Sequence, residues 1–353
     1  MKNLLQQHKI IFSAIGLFLV LSFFTIRGDE EISQLSGYTM GTTFQLQFVD
    51  HARNFSRVQI QGDIQELLRR MDQQLFSTYS PGSELSLFNQ APIDALFVVS
   101  SEFIAVTELA QEISVLTDGA FDVTVGPLVN LWGFGPEPND PSRPNSAAIE
   151  AAKQTVGYQH LTINGAASWV SKDTSIYVDL SAIAKGYAVD RVAIYFDSVG
   201  IADYFLEIGG EIKLKGYKPG NQTWVPAVER PVDTAPQIHE TLNSRGEELA
   251  IAGSGDYRNY FEEDGKRYSH EIDPRTGMPI DHNLAAVYVI DRSAARADAL
   301  ATAFMVLGYE QGMELATTLE QAVYFIVSTD DGQFMSYYTD QFMPYIDRTS
   351  SNE

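Results

Sequence analysis

The chain of 353 residues contains no cysteine. That excludes disulfides, thiolate metal centres, cysteine nucleophiles and a lipid-modified N-terminal cysteine. Basic residues are scarce. Lys and Arg number 24 against 46 Asp and Glu, a formal charge of −22. So acidic a chain is a poor general binder of nucleic acid, whose phosphates need basic surface. A local cationic pocket for a small phosphorylated ligand stays open. Of the six histidines, His8, His51, His160, His239 and His282 show no metal-ligand spacing. Internal repeats and long linkers are also missing. With 44% hydrophobic and 20% charged residues, the chain has enough apolar material for a real core.

Long hydrophobic runs are confined to one place. Ile10 to Ile26 reads IIFSAIGLFLVLSFFTI, 17 residues without a charge. As a helix it is about 26 Å long, the short end of a membrane span. Lys2 and Lys9 precede it, and Arg27, Asp29, Glu30 and Glu31 follow. The basic leader stays in the cytoplasm, so the bulk of the chain is exported. Residues 1–27 are therefore expected to be a transmembrane anchor or a cleaved signal peptide. Residues 28–353 are expected to form a single extracytoplasmic domain, on the periplasmic side of the inner membrane or free in the periplasm after cleavage.

Within that domain the patterning mixes strands and helices. Tyr38 to Val49 alternates as a strand, and Ile60 to Ser77 and Phe97 to Thr117 have helical apolar spacing. Helices are expected at Ala147 to Thr155, Ala184 to Val199 and Ala294 to Leu307, the last stopped by Gly308. Strands are expected in Leu161 to Val178, Tyr204 to Gly210, Leu249 to Phe261, Lys266 to Ile272 and Leu284 to Ile290. A final hairpin joins Ala322 to Ser328 with Gln333 to Tyr338 around Asp331-Gly332. Pro136, Pro138, Pro141 and Pro144 mark a loop. The order argues for an α/β or α+β layered fold.

Several segments carry chemistry. Asp298 and Thr302 lie one helical turn apart, where a carboxylate and a hydroxyl offer hard oxygen ligands suited to Mg²⁺. The plainer reading is a helix-terminal acid and a satisfied threonine. In VDLSAIAKGYAVD, Lys185 is a lone cation able to hold a phosphate, or one that snorkels from a buried helix. DGAFDVTVGPLVNLWGFG offers Phe121, Trp132 and Phe134 as the floor for a flat ring, with Asp122 at its polar edge, or an ordinary core under a turn. The glycine pair of EIGGEI is a weak candidate for cradling a phosphate through N–H groups. Gly253 to Ile280 is the densest polar stretch, with Ser254, Asp256 and Arg258 ahead of His270. That histidine is the best single candidate for proton transfer, or else a hydrogen-bonded residue that holds the turn.

Taken in order, MGTTF, FSTYSPGSELSLFN, DGAFDVTVGPLVNLWGFG, VDLSAIAKGYAVD, EIGGEI, AGSGDYRNYF, SHEIDPRTG and ADALATAFMVLG span Met40 to Gly308. Together they resemble the ApbE family, flavin transferases that use FAD to flavinylate proteins. The resemblance implies a T-fold-like α/β arrangement. It also implies Mg²⁺ and FAD, cleavage of the FAD pyrophosphate, transfer of FMN to a Thr or Ser hydroxyl of a target protein, and release of AMP. The acceptors it implies are subunits of the sodium-translocating NADH:quinone reductase or of Rnf-type complexes, at a Ser/Thr-Gly-Ala-Ser/Thr motif. Residue by residue, Met40, Tyr79, Ala120, Phe121, Asp122, Lys185 and Ile272 match positions around FAD. Ala182, through its carbonyl, matches the metal site with Asp298 and Thr302. His270, or a nearby carboxylate such as Asp273, is the expected base. Many members carry a lipid-modified cysteine after the signal, and this chain has none. A metal-dependent FAD pyrophosphatase and a non-enzymatic flavin-binding protein are the alternatives.

Overall fold

The computed structural model describes residues 31–50, 56–135, 143–232, 234–235, 237–257, 260–263 and 266–347. The hydrophobic run at 10–26, most of the proline loop and Arg258 lie outside the described residues. Among the described residues no helix is long and apolar enough to cross a membrane.

Eight strands make the main sheet: β1 (Glu31–Thr39), β2 (Thr42–Asp50), β3 (Tyr204–Ile208), β4 (Glu211–Lys215), β5 (Leu249–Gly255), β6 (Leu284–Asp291), β7 (Ala322–Ser328) and β8 (Phe334–Tyr338). They lie side by side in chain order, every neighbouring pair antiparallel. Four longer helices cover one face: α1 (Arg57–Arg69), α2 (Ser101–Leu116), α3 (Ser181–Ser198) and α4 (Ala294–Thr318). The mixture expected from sequence thus takes its α+β form, with helices gathered on one side of an antiparallel sheet.

Alternation along the strands sorts the side chains. On β6 and β7, Val287, Val289, Val323 and Phe325 join the helices, while Ala286, Ile290, Tyr324 and Ile326 face a second core with Trp224 and Phe342. Neither face is left to solvent, so the central strands are apolar on both sides.

Several readings of single elements change. Leu249 to Phe261 ends its main-sheet strand at Gly255, and Tyr260–Glu263 pairs instead with Lys266–Ser269 in a separate hairpin. Tyr38 to Val49 is not one strand, because a two-residue turn at Met40-Gly41, both at positive φ (49° and 73°), folds it into the β1–β2 hairpin. That is the turn whose twist suits tightly closed strands. The helix from Ala294 does break at Gly308 (φ 76°, ψ 177°), but it resumes and runs on to Thr318.

Helix α3 is riveted to β4. Lys185, Asp190 and Asp197 on the helix pair with Glu211, Lys213 and Lys215 on the strand, at 2.7, 2.9 and 3.0 Å. Asp190 also accepts from Ser293 Oγ and the Ala295 N–H, which ties α3 to the start of α4. At that crossing Gly186 packs on backbone: a Cβ there would lie 2.2 Å from the Ala294 carbonyl oxygen. The run of alanines at the start of α4 permits this approach.

Candidate active site

Where α3 and α4 meet the ends of β4 and β5 a cleft of about 1080 Å³ opens, as large as typical cofactor sites. Its wall contains Met40, Tyr79, Ala120, Phe121, Asp122, Ala182, Lys185, His270, Ile272, Asp298 and Thr302. Of the residues expected from sequence, Asp273, Trp132 and Asp256 are not on it. The turn between β1 and β2 supplies Met40, the loop after residue 76 supplies Tyr79, and the loop after α2 supplies Phe121. The N-terminal halves of α3 and α4 and the start of β4 supply the charged groups.

Those charged groups form one buried cluster. Lys185 Nζ donates to Glu211 Oε1 at 2.7 Å and lies 3.8 Å from Asp298 Oδ1. Asp298 Oδ2 accepts the Gly186 N–H at 3.0 Å. Burial pushes the Asp298 carboxyl above its ordinary value, and Lys185 and the Gly186 N–H only partly offset it. Burial likewise raises Glu211, to about 8, with the Asp298 charge adding to it and Lys185 opposing. For Lys185 burial favours the neutral amine, but Asp298 and Glu211 outweigh it and hold the ammonium charged. Glu211 Oε2 is buried without a hydrogen-bond partner.

Here two carboxylates share one lysine, and one carboxylate oxygen is left over. Buried hard oxygen donors, one of them unpartnered, fit a divalent cation of the magnesium kind. Among the described residues no three His, Cys, Asp or Glu side chains gather as metal ligands. The donors read from sequence are of another sort: one carboxylate, one hydroxyl and one main-chain carbonyl.

A pH prediction follows from Glu211. Its folded value of about 8 exceeds the model-peptide value of 4.5. The folded state therefore binds the extra proton across that window, and this component of stability declines as pH rises through it. Glu211→Gln removes the component. The wild-type minus variant unfolding free energy is expected to fall between about pH 5 and 8. Urea melts at several pH values measure it, and parallel curves would refute it.

Other expected residues have different surroundings from those read in sequence. Asp122 lines the cleft, but its carboxylate is taken up internally. It accepts from the Thr124 N–H at 2.8 Å, Thr124 Oγ1 at 2.7 Å and the Tyr158 N–H at 2.7 Å. It staples the loop that presents Phe121. Trp132 is fully buried, donates to the Gly277 carbonyl and packs on Tyr268, so it belongs to the core, whereas Phe121 and Phe134 do reach the cleft. The glycine pair offers no phosphate cradle: the Gly209 N–H is bonded to the Thr43 carbonyl and the Gly210 N–H to Glu207. What Gly209 provides is room, since a Cβ there would meet Thr42 at 2.6 Å and Lys185 at 3.2 Å. Asp273 is clamped by the Arg275 guanidinium, with both contacts at 2.9 Å.

Sequence reading missed Glu211 and Glu271. Glu271 lines the cleft, accepts from Ser254 Oγ at 3.0 Å and lies 3.6 Å from His270 Nε2. His270 also stands edge-on to Phe134, 6.3 Å between centroids. For Glu211 a signal existed. EIKLK puts Glu211, Lys213 and Lys215 on one face, and a central strand has no solvent face for charges.

Comparison with known proteins gives a consistent result. A curated relative from Vibrio cholerae, named FAD:protein FMN transferase, is 44% identical over 94% of this chain and 99% of its own length. A relative of the same name from Escherichia coli K12 is 38% identical over 90% of each chain. The solved structure titled "Flavin Transferase ApbE from Vibrio cholerae" superposes with a TM-score of 0.82 at 45% identity, covering 90% of this chain and 99% of that one. The ApbE protein of Thermotoga maritima superposes at 0.76 with 29% identity, covering 89% of this chain and 98% of that one. Residues 40–326 match the ApbE family as a whole, and the chain belongs to that family.

Proposed function

We propose that this protein is an FAD:protein FMN transferase that uses Mg²⁺ to move the FMN half of FAD onto a Thr or Ser hydroxyl of a target protein, with release of AMP. The observation that carries the reading is that Lys185, Glu211, Asp298 and Thr302 line the same cleft as Tyr79, Phe121, Phe134 and Ile272. Such a cleft suits a ligand with a flat ring at one end and phosphates at the other. The names of the relatives support the same chemistry.

Asp298, Thr302 and the Ala182 carbonyl would hold Mg²⁺, which when bound supplies positive charge to the diphosphate oxygens. Lys185 adds a second positive charge, aimed by Glu211. Phe121, Phe134 and Ile272 keep water from the ring. The acceptor hydroxyl gives its proton to His270, its oxygen bonds to the FMN-side phosphorus, and the bond from that phosphorus to AMP breaks. Asp273 is a poor base in this reading because Arg275 holds its carboxylate. The acceptors in this reading are membrane redox-complex subunits. The enzyme works outside the cytoplasm, anchored or released by the segment at 10–26.

Intact mass of an acceptor protein bearing the Ser/Thr-Gly-Ala-Ser/Thr motif tests the reading. Incubation with the enzyme, FAD and Mg²⁺ is expected to add the mass of FMN, and EDTA to abolish the gain. Free FMN and AMP with no adduct would mean a pyrophosphatase instead.

A further inference from the structure

The strand β1 is an edge of the main sheet, and the Met40-Gly41 turn that follows it lines the cleft. The two-residue turn makes Thr39 and Thr42 the last bonded pair of the hairpin. Alternation then aims the backbone groups of Leu35, Gly37 and Thr39 at β2, and those of Gln34, Ser36 and Tyr38 away from the sheet. The Gln34 carbonyl fits this pattern, since it accepts from Arg57 Nη2 at 2.6 Å on the outer side. Ser36 and Tyr38 have no such cover among the described residues. Both are exposed, and Tyr38 is 87% accessible.

Edges of this length are normally blunted by charge, proline or a bulge. From Ile32 to Thr39 the strand reads ISQLSGYT, with none of these, and its register against β2 is unbroken. A bare edge with an exposed tyrosine, ending at a cleft where Met40 and Gly41 form the lip, has the form of a docking strand.

We propose that an extended, proline-free segment of the acceptor protein adds to β1 as an extra strand, bonded to the main chain of Ser36 and Tyr38, and so delivers its Ser or Thr hydroxyl to the lip at Met40-Gly41. This rests on the transferase reading. Two residues of strand cover about 7 Å, so an acceptor residue just beyond the one opposite Tyr38 reaches the lip. Main-chain pairing sets the depth and direction of the segment whatever its side chains, and the Tyr38 ring gives an apolar contact to a cross-strand neighbour.

Amide exchange in the full FAD-loaded chain tests this directly. The Ser36 and Tyr38 amides are expected to exchange freely alone and to slow tenfold or more with a saturating acceptor protein bearing the motif. Slow exchange in the free chain would mean that the chain covers its own edge, which overturns the proposal. Unchanged exchange beside an acceptor that is being flavinylated overturns it too. Ser36→Pro removes the outward N–H without touching the β1–β2 bonds. It is expected to raise the acceptor KM tenfold or more while FAD hydrolysis by water and the melting temperature stay as in the wild type, and Ser36→Ala is expected to change none of the three. An unaltered KM in Ser36→Pro overturns the proposal; if that variant does not fold, exchange in the wild type decides. A wild type that hydrolyses FAD but flavinylates no acceptor sinks the transferase reading itself, and this proposal with it.

Discussion

Asp298→Asn is expected to lower flavin transfer by about two to three orders of magnitude, the range seen when one preorganised electrostatic group is lost from a reacting centre. The same change is expected to leave the melting temperature unchanged or slightly higher. The two effects differ in sign because the carboxylate is costly to the fold and useful to the chemistry. Its charge is buried, and burial is what raises its pKa. Asparagine keeps an oxygen for the Gly186 N–H but brings no charge to the phosphates or to a cation. Rates measured against Mg²⁺ concentration should show a weaker magnesium response, and a thermal melt reads the stability. Undiminished transfer would remove Asp298 from the site, and a large loss of stability would make it structural.

Gly186→Ala is expected to act through the fold. A Cβ at this position would lie 2.2 Å from the Ala294 carbonyl oxygen and 2.8 Å from the Ala295 Cα, and both are backbone atoms. No side-chain rotation relieves that, so α3 and α4 must separate. Overpacking against backbone costs about 3 kcal/mol, which in a domain of this size lowers the melting temperature by roughly 4–5 °C. Transfer should fall as well, because Lys185 and Asp298 sit on the two helices that move apart. A variant with wild-type melting would show that the crossing is looser than the geometry implies.

Much of the site was legible in the sequence because its residues come in short ordered blocks. Lys185 and Ala182 lie on one helix, Asp298 and Thr302 on another at one-turn spacing, and His270 and Ile272 in one segment. Local spacing survives folding, so these groups reach the cleft together. The strands and helices with clear periodicity were legible for the same reason. The β1–β2 turn was not, because a methionine at positive φ carries no turn signature, and the alternation of Tyr38 to Val49 reads straight through it. The two readings open for Trp132 and Asp122 could not be separated in the sequence for a related reason. An aromatic or an acid near a glycine turn serves equally well as pocket floor or internal staple, and only its neighbours distinguish the two.

The sequence by itself determined the residue types, the presence of the strongly periodic strands and helices, and the membership of the family. Only the tertiary structure decided the charge balance of the site. Glu211 and Lys185 are 26 residues apart, and Gly186 and Asp298 are 112 apart. Their contacts arise from the packing of α3 on β4 and α4, which no local pattern encodes. Coulomb energy depends on distance and burial in space, so the cluster that sets the pKa values exists only once the chain has folded.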